Sequence, residues 1–167
     1  MQHVESFAPI EKADARILIL GSMPGEASLR AGQYYAHPRN LFWRIMGELL
    51  GTDPALPYDL RVQALKSAGI ALWDVLHTCR RKGSLDSNID QESLVPNDFA
   101  AFFRCHPKIT HVFFNGAKAE ECYRKHVQPV TGIKTIEYLR LPSTSPANAS
   151  ISYERKLEAW RVVTTHP

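Results

Sequence analysis

The stretch Leu18-Ile19-Leu20-Gly21-Ser22-Met23-Pro24-Gly25 decides how the rest of the chain is read. Residues 17–20 form a short, continuous apolar run with β-branched members, the pattern of a strand buried on both faces and therefore central in its sheet. Two glycines and a proline end it. Glycine lets backbone pass close to a ligand and leaves amide N–H groups exposed, so this turn suits a site; a ligand-free strand-to-loop turn is the plainer alternative. Beyond it comes Tyr34-Tyr35-Ala36-His37-Pro38-Arg39-Asn40-Leu41-Phe42-Trp43, in which Pro38 keeps a helix from starting before Leu41.

Working outward, Leu41, Phe42, Ile45, Met46, Leu49 and Leu50 recur at helical spacing and Gly51 supplies a stop. Residues 1–14 are polar apart from Phe7 and Ile10 and are expected to lie as a leader across the edge of the first strand. Residues 26–32 read as a loop or single turn, and 60–67 as a short helix. A second buried strand is expected at 70–76, followed by a polar loop over 80–88 that carries Arg80, Arg81 and Lys82. Ser93 is placed as the cap of a helix running to Arg104. A third strand over 109–114 closes on Asn115-Gly116, a helix spans 117–126, and a fourth strand over 134–141 leads into Pro142-Ser143-Thr144-Ser145-Pro146-Ala147-Asn148. A last helix covers 153–163, and the final few residues are expected to fray.

Strands alternating with helices predict a three-layer α/β/α sandwich around a mostly parallel four-stranded sheet, within a single domain spanning residues 1–167. In such sheets ligands bind beyond the carboxyl ends of the strands. The Gly21 turn, the Arg80 loop, Asn115-Gly116 and the Ser143 loop all fall at those ends.

Composition narrows the function classes. With 44 % hydrophobic and 22 % charged residues the chain is that of an ordinary globular protein. A net charge of +3 permits an anionic partner without requiring one. Cys79, Cys105 and Cys122 are widely spaced and form no C-x-x-C pair, which points away from a disulfide framework or zinc site. No apolar run approaches the ~18 residues that span a bilayer, and no secretory leader opens the chain. The expectation is a cytoplasmic protein of bacterial type, acting as a monomer with neither metal nor cofactor. The absence of Gly-x-x-x-x-Gly-Lys argues against a generic nucleotide-binding protein.

Three motifs in order, G-x-x-P-G after the first strand, an aromatic-Ala-His-Pro-x-Asn-x-Phe-Trp segment, and Leu-Pro-x-x-Ser-x after the last strand, resemble the uracil-DNA glycosylase superfamily. Within it, Gly-Ser-Met-Pro-Gly with Ser-Thr-Ser-Pro-Ala-Asn is similar to the hypoxanthine-DNA (deoxyinosine) glycosylase branch, related to the mismatch-specific uracil-DNA glycosylases. The resemblance implies base excision repair: a deaminated base is flipped from DNA and its N-glycosidic bond is hydrolysed to leave an abasic site. Where uracil-specific members place an Asp or Asn that positions water, this chain has Met23, whose thioether cannot. The resemblance moves that role to Asn40; an amide can hold a water but not deprotonate it, and the residue-level alternative is a helix N-cap.

The same resemblance aligns Tyr35 with the stacking aromatic, with Tyr34 as the alternative. It places Gly21, Ser22 and Met23 along the base pocket and Ser143 where relatives carry a His or Asn that stabilises the leaving base. Ser145 becomes a phosphate contact, and Ala147 the wedge, with Pro146 or Asn148 sharing that task. Asn115, a carboxamide at a strand end, can meet the O6 acceptor and N1–H donor of hypoxanthine together; a turn-forming Asn-Gly pair is its plainer reading. Arg80, Arg81 and Lys82 are candidate contacts to the DNA backbone or simply a solvated run. His37 is read as shaping its loop, and Asp74 with His77 as a pair satisfied in the core. No lysine lies in the motifs, so a Schiff-base lyase step is not expected. The rival readings are a uracil or G:U mismatch glycosylase and a DNA-binding module without catalysis.

Overall fold

The computed structural model describes residues 1–165. Its centre is a parallel sheet of β2 (Ile17–Gly21), β3 (Ile70–Asp74), β6 (His111–Asn115) and β7 (Glu137–Leu141), in the spatial order β3-β2-β6-β7. Every residue of β2 and β3 is buried, as their apolar runs require of strands covered on both faces, with Asp74 at the end of β3 the one charged member.

Successive side chains point to opposite faces, and this divides the core. Leu18 and Leu20 join a layer with Phe99 of α4 (Phe99–Cys105) and Tyr123 of α5 (Ala117–His126). Ile17 and Ile19 join the other layer, with Phe42 and Ile45 of α2 (Phe42–Leu50), Leu65 of α3 (Tyr58–Ser67) and Trp160 of α7 (Tyr153–Trp160). The architecture is therefore the expected α/β/α sandwich. Gly51 adopts a left-handed φ of 68° and ends α2.

Register decides what the sheet presents at its carboxyl edge. Gly21 lies opposite Asp74, Leu20 opposite Phe114, and Asn115 opposite Leu141, so Gly21, Asp74, Asn115 and Leu141 stand in one row.

Several expectations are corrected. Residues 1–14 are not a leader across an edge: β1 (Gln2–Glu5) pairs antiparallel with β4 (Leu76–Arg81), which pairs with β5 (Val95–Pro96) in a second, three-stranded sheet. Ile10 bridges to Leu72. The expected polar loop at 80–88 thus begins as strand. The chain leaves the parallel sheet at Val75, whose N–H donates to the Gly21 carbonyl, and β4 buries Leu76, Cys79 and Arg81. Residues 26–32 contain a helix, α1 (Glu26–Ala31). Asp98, not Ser93, caps α4, accepting from Ala101 N; the Ser93 hydroxyl instead accepts from Arg80 N. A short α6 (Gln128–Thr131) precedes β7, and the last helix breaks at Arg161 before α8 (Val162–Thr165). The expected fraying falls partly on 166–167, outside the described residues.

Candidate active site

Beyond the carboxyl edge opens a cleft of about 640 Å³. The Gly21–Met23 turn, the Tyr35–Asn40 segment and the loop from Ser143 to Asn148 line it together, as does the chain after β4. The glycine turn is its floor. A Cβ on Gly21 would stand 2.5 Å from Asp74 Oδ1 and 2.7 Å from the Tyr35 hydroxyl, so only glycine lets both oxygens reach that point. Ser22 is buried and its hydroxyl donates to Asp86 Oδ1 at 2.6 Å. Met23 is buried in the core layer while bordering the cleft.

Tyr35 forms one wall. Its φ of 54° is left-handed, which a bulky residue holds only where its surroundings enforce it. One face of the ring stacks on Phe42, with centroids 4.3 Å apart and planes at 27°. Tyr34 is packed more deeply: it is buried and its hydroxyl donates to the Ala8 carbonyl, while it too borders the cleft.

Asn40 caps the helix that follows it and stands at the cleft. Its Oδ1 accepts from Phe42 N at 2.9 Å, capping the start of α2, and that bond orients the carboxamide at the cleft margin. His37 Nδ1 accepts from Arg39 N, a local bond that shapes the loop.

Asn115 is placed differently from expectation. Its Nδ2 donates to Thr144 Oγ1 and its Oδ1 accepts from Thr144 N, both at 2.9 Å. Both partners belong to one residue, so Thr144 takes one N–H and one oxygen lone pair of the amide, whose second N–H remains at the cleft. Asn115 holds the loop against the sheet. Ser143 Oγ accepts from Ser145 N, Ser145 Oγ from Ala147 N, and Asn148 Nδ2 donates to Ser143 O. Lys156, itself buried, donates to Asn148 O at 2.7 Å, and Leu41 N donates to Thr144 O. Pro146 and Ala147 sit in this self-bonded loop, with Ala147 exposed.

The basic triplet is separated by the fold. Arg81 is almost wholly buried and its guanidinium donates to the Pro24 and Gly83 carbonyls, so it supports the glycine turn and cannot contact a phosphate. Arg80 is exposed but pairs with Asp90 at 2.9 Å, and Lys82 is exposed. Neither borders the cleft. The cations that do are Lys118 and Arg140, which sequence reading passed over.

Asp74 is placed differently from expectation. It is not paired with His77, which is exposed on β4. Its side chain is 3 % exposed, borders the cleft and leaves Oδ2 without a hydrogen bond; the buried Tyr35 hydroxyl likewise has none. Burial, reinforced by the negative charge of Asp86 and opposed by Arg81, pushes the Asp74 carboxyl up to about 7. Burial likewise pushes the Tyr35 phenol far up, so it stays neutral.

Residues 8–164 match the model of the uracil DNA glycosylase superfamily. The chain belongs to that superfamily. Within it, the chain is 37 % identical over 153 residues to a hypoxanthine DNA glycosylase of Methanosarcina barkeri, covering 91 % of this chain and 92 % of the relative. It is 37 % identical over 161 residues to a hypoxanthine DNA glycosylase of Methanosarcina acetivorans, covering 96 % and 97 %. A solution NMR structure from Methanosarcina acetivorans, provisionally described as a uracil DNA glycosylase, superposes with a TM-score of 0.82 at 37 % identity, covering 99 % of this chain and 98 % of the other. Superfamily membership accounts for why the motifs, distant in sequence, meet at one sheet edge.

Proposed function

We propose that this chain is a monofunctional DNA-deoxyinosine glycosylase, which flips hypoxanthine out of DNA and hydrolyses its N-glycosidic bond to leave an abasic site. The supporting observation is the 37 % identity to hypoxanthine DNA glycosylases over more than nine-tenths of the chain. The flipped base stacks on Tyr35, which borders the cleft beside the Gly21 floor, since extruded bases are read against aromatic faces. The bond from sugar to base breaks largely ahead of water attack, and Asn40, with Oδ1 fixed on Phe42 N, turns its Nδ2 to the incoming water. Orientation suffices because an oxocarbenium-like sugar needs little help from a base. Ser143 meets the leaving base as a hydroxyl donor. Ser145 contacts phosphate, and Pro146, Ala147 and Asn148 fill the gap in the duplex. The protein works as a single domain and a monomer on DNA in the cytoplasm, with no metal or cofactor taking part.

The test is a panel of duplexes that each hold one deoxyinosine, uracil or xanthine, with abasic products revealed by alkaline cleavage. Hypoxanthine release is expected to be fastest. No hypoxanthine release at excess enzyme overturns the reading, and uracil release alone replaces it with a uracil glycosylase. Asn40→Ala is expected to cut turnover about a hundredfold while leaving duplex affinity nearly unchanged, the split typical of a group that acts in the transition state.

A further inference from the structure

Two buried side chains, Asp74 and Tyr35, each bring an oxygen up against Gly21, and the other carboxyl oxygen of Asp74 is left without a partner. Asp74 Oδ2 has no hydrogen-bond partner, while Oδ1 and the Tyr35 hydroxyl close directly on the Gly21 Cα. The Asn115 amide, bonded to Thr144 through one N–H and its Oδ1, is the side chain that reaches the Tyr35 hydroxyl. A buried polar group left unpaired costs about 1–3 kcal/mol, so an unpaired carboxyl oxygen on Asp74, a side chain that ends β3 and borders the cleft beside Tyr35, marks a ligand contact.

We propose that Asp74, as an un-ionised carboxylic acid backed by the Tyr35 hydroxyl, grips the amide edge that deamination creates on a base. This deepens the glycosylase reading and rests on it. Deamination of adenine turns an acceptor beside an amino donor into N1–H beside C6=O, and uracil and xanthine carry a like N–H beside C=O. A carboxylic acid presents one O–H and one C=O, which close on that edge as a cyclic pair of hydrogen bonds. A carboxylate presents two acceptors, and one of them repels the carbonyl. The same O–H stabilises bond cleavage. As the C1′–N9 bond breaks, its electron pair leaves with the base and charge spreads onto O6, where a donor lowers the energy and an anion raises it. Water adds at C1′, its proton ends on the departing base, and Asp74 keeps its own.

The surroundings hold Asp74 in this form. Asp86, fixed by Ser22, opposes a second negative charge nearby; the Tyr34 and Tyr35 phenols facing Asp74 stay neutral through burial. Arg81 alone favours the anion; its Nε and Nη2 donate to the Gly83 and Pro24 carbonyls, while its buried Nη1 has no partner. The reactive form is therefore the one present below about pH 7.

The experiment is the single-turnover rate of hypoxanthine release from a deoxyinosine duplex between about pH 5.5 and about pH 9, for the wild type, Asp74→Asn and Asp74→Ala. The wild-type rate is expected to fall about tenfold per pH unit above neutrality. Asp74→Asn keeps a donor and an acceptor but cannot ionise, so it retains a rate within about tenfold at low pH and loses the alkaline fall. Asp74→Ala drops about a hundredfold or more at every pH while still binding duplex. A wild-type rate that rises through neutrality, as a base or nucleophile would give, overturns the proposal. So does an Asp74→Asn protein that melts cooperatively and binds duplex yet is as slow as Asp74→Ala. If the wild type releases no hypoxanthine at any pH, it is the glycosylase reading that fails.

Discussion

At the scale of single residues, the site stands on one missing side chain and one buried acid. Gly21 is required by its neighbours rather than by its own backbone, because any Cβ there would collide with Asp74 Oδ1 and the Tyr35 hydroxyl. Asp74 makes a separate prediction about stability. Its carboxyl titrates near 7 when folded against 3.8 unfolded, so between those values the folded chain holds a proton that the unfolded chain releases. Stability contributed by this group is therefore highest at acid pH and is lost as pH rises to neutrality, on the order of 4 kcal/mol at 1.36 kcal/mol per unit. Asp74→Asn is expected to be more stable than the wild type at pH about 8, with the gap closing toward pH about 4. Urea denaturation of both proteins at the two pH values checks this; a wild type that gains on the variant as pH rises contradicts it. Asn40 and Tyr35 were legible as candidates because their motif is local, and both border the cleft. Asp74 was not legible, because its partner Gly21 lies on another strand and only the parallel register sets the two side by side.

At the scale of elements, the loop of residues 142–148 is a strap bound to three parts of the molecule: to β6 through Asn115, to α2 through Leu41, and to α7 through Lys156. Gly116 lets it pass close, with a φ of 94° and Ser143 Cβ 3.1 Å from where a Cβ would stand. Thr144 is the pivot and is 1 % exposed. Thr144→Val keeps the shape and the backbone bond but leaves Asn115 Nδ2 without its acceptor, at a cost of about 1–3 kcal/mol. Denaturant unfolding should register that loss; unchanged stability would mean that Asn115 is not committed to the strap. The motif Leu-Pro-x-x-Ser was readable, but Asn115 as the strap's anchor was not. Its Asn-Gly sequence suits a turn, a base reader or a tether equally well, and the choice depends on Thr144, distant in the chain.

At the scale of the whole molecule, the fold sorts the cations by place. Of the basic triplet, Arg81 is interior and Arg80 is paired, whereas Lys118 and Arg140 stand at the cleft with weaker ion pairs to Glu121 and Glu120 at 3.8 and 3.7 Å. Each phosphate contact releases counterions, so Lys118→Ala and Arg140→Ala should each reduce the salt slope of duplex affinity by about 0.9. Arg80→Ala should barely change it. Fluorescence anisotropy over a salt series separates the two, and an effect of Arg80→Ala equal to that of Arg140→Ala would return the triplet to the DNA. Arg81→Ala belongs to folding instead, since it would strip the hydrogen bonds from the Pro24 and Gly83 carbonyls.

The sequence by itself determined the α/β/α sandwich, the four parallel strands, the superfamily and the turn Gly21–Met23 as its centre, because apolar runs and local motifs are properties of adjacent residues. It could not reveal the second sheet: β1 and β4 are half-polar strands that become strands only by pairing with each other. Nor could it say which polar side chains would be left without partners. That Asn115 is tied to Thr144, Arg81 is buried and Asp74 borders the cleft are facts of register and packing between segments far apart in the chain, and only the tertiary structure decided them.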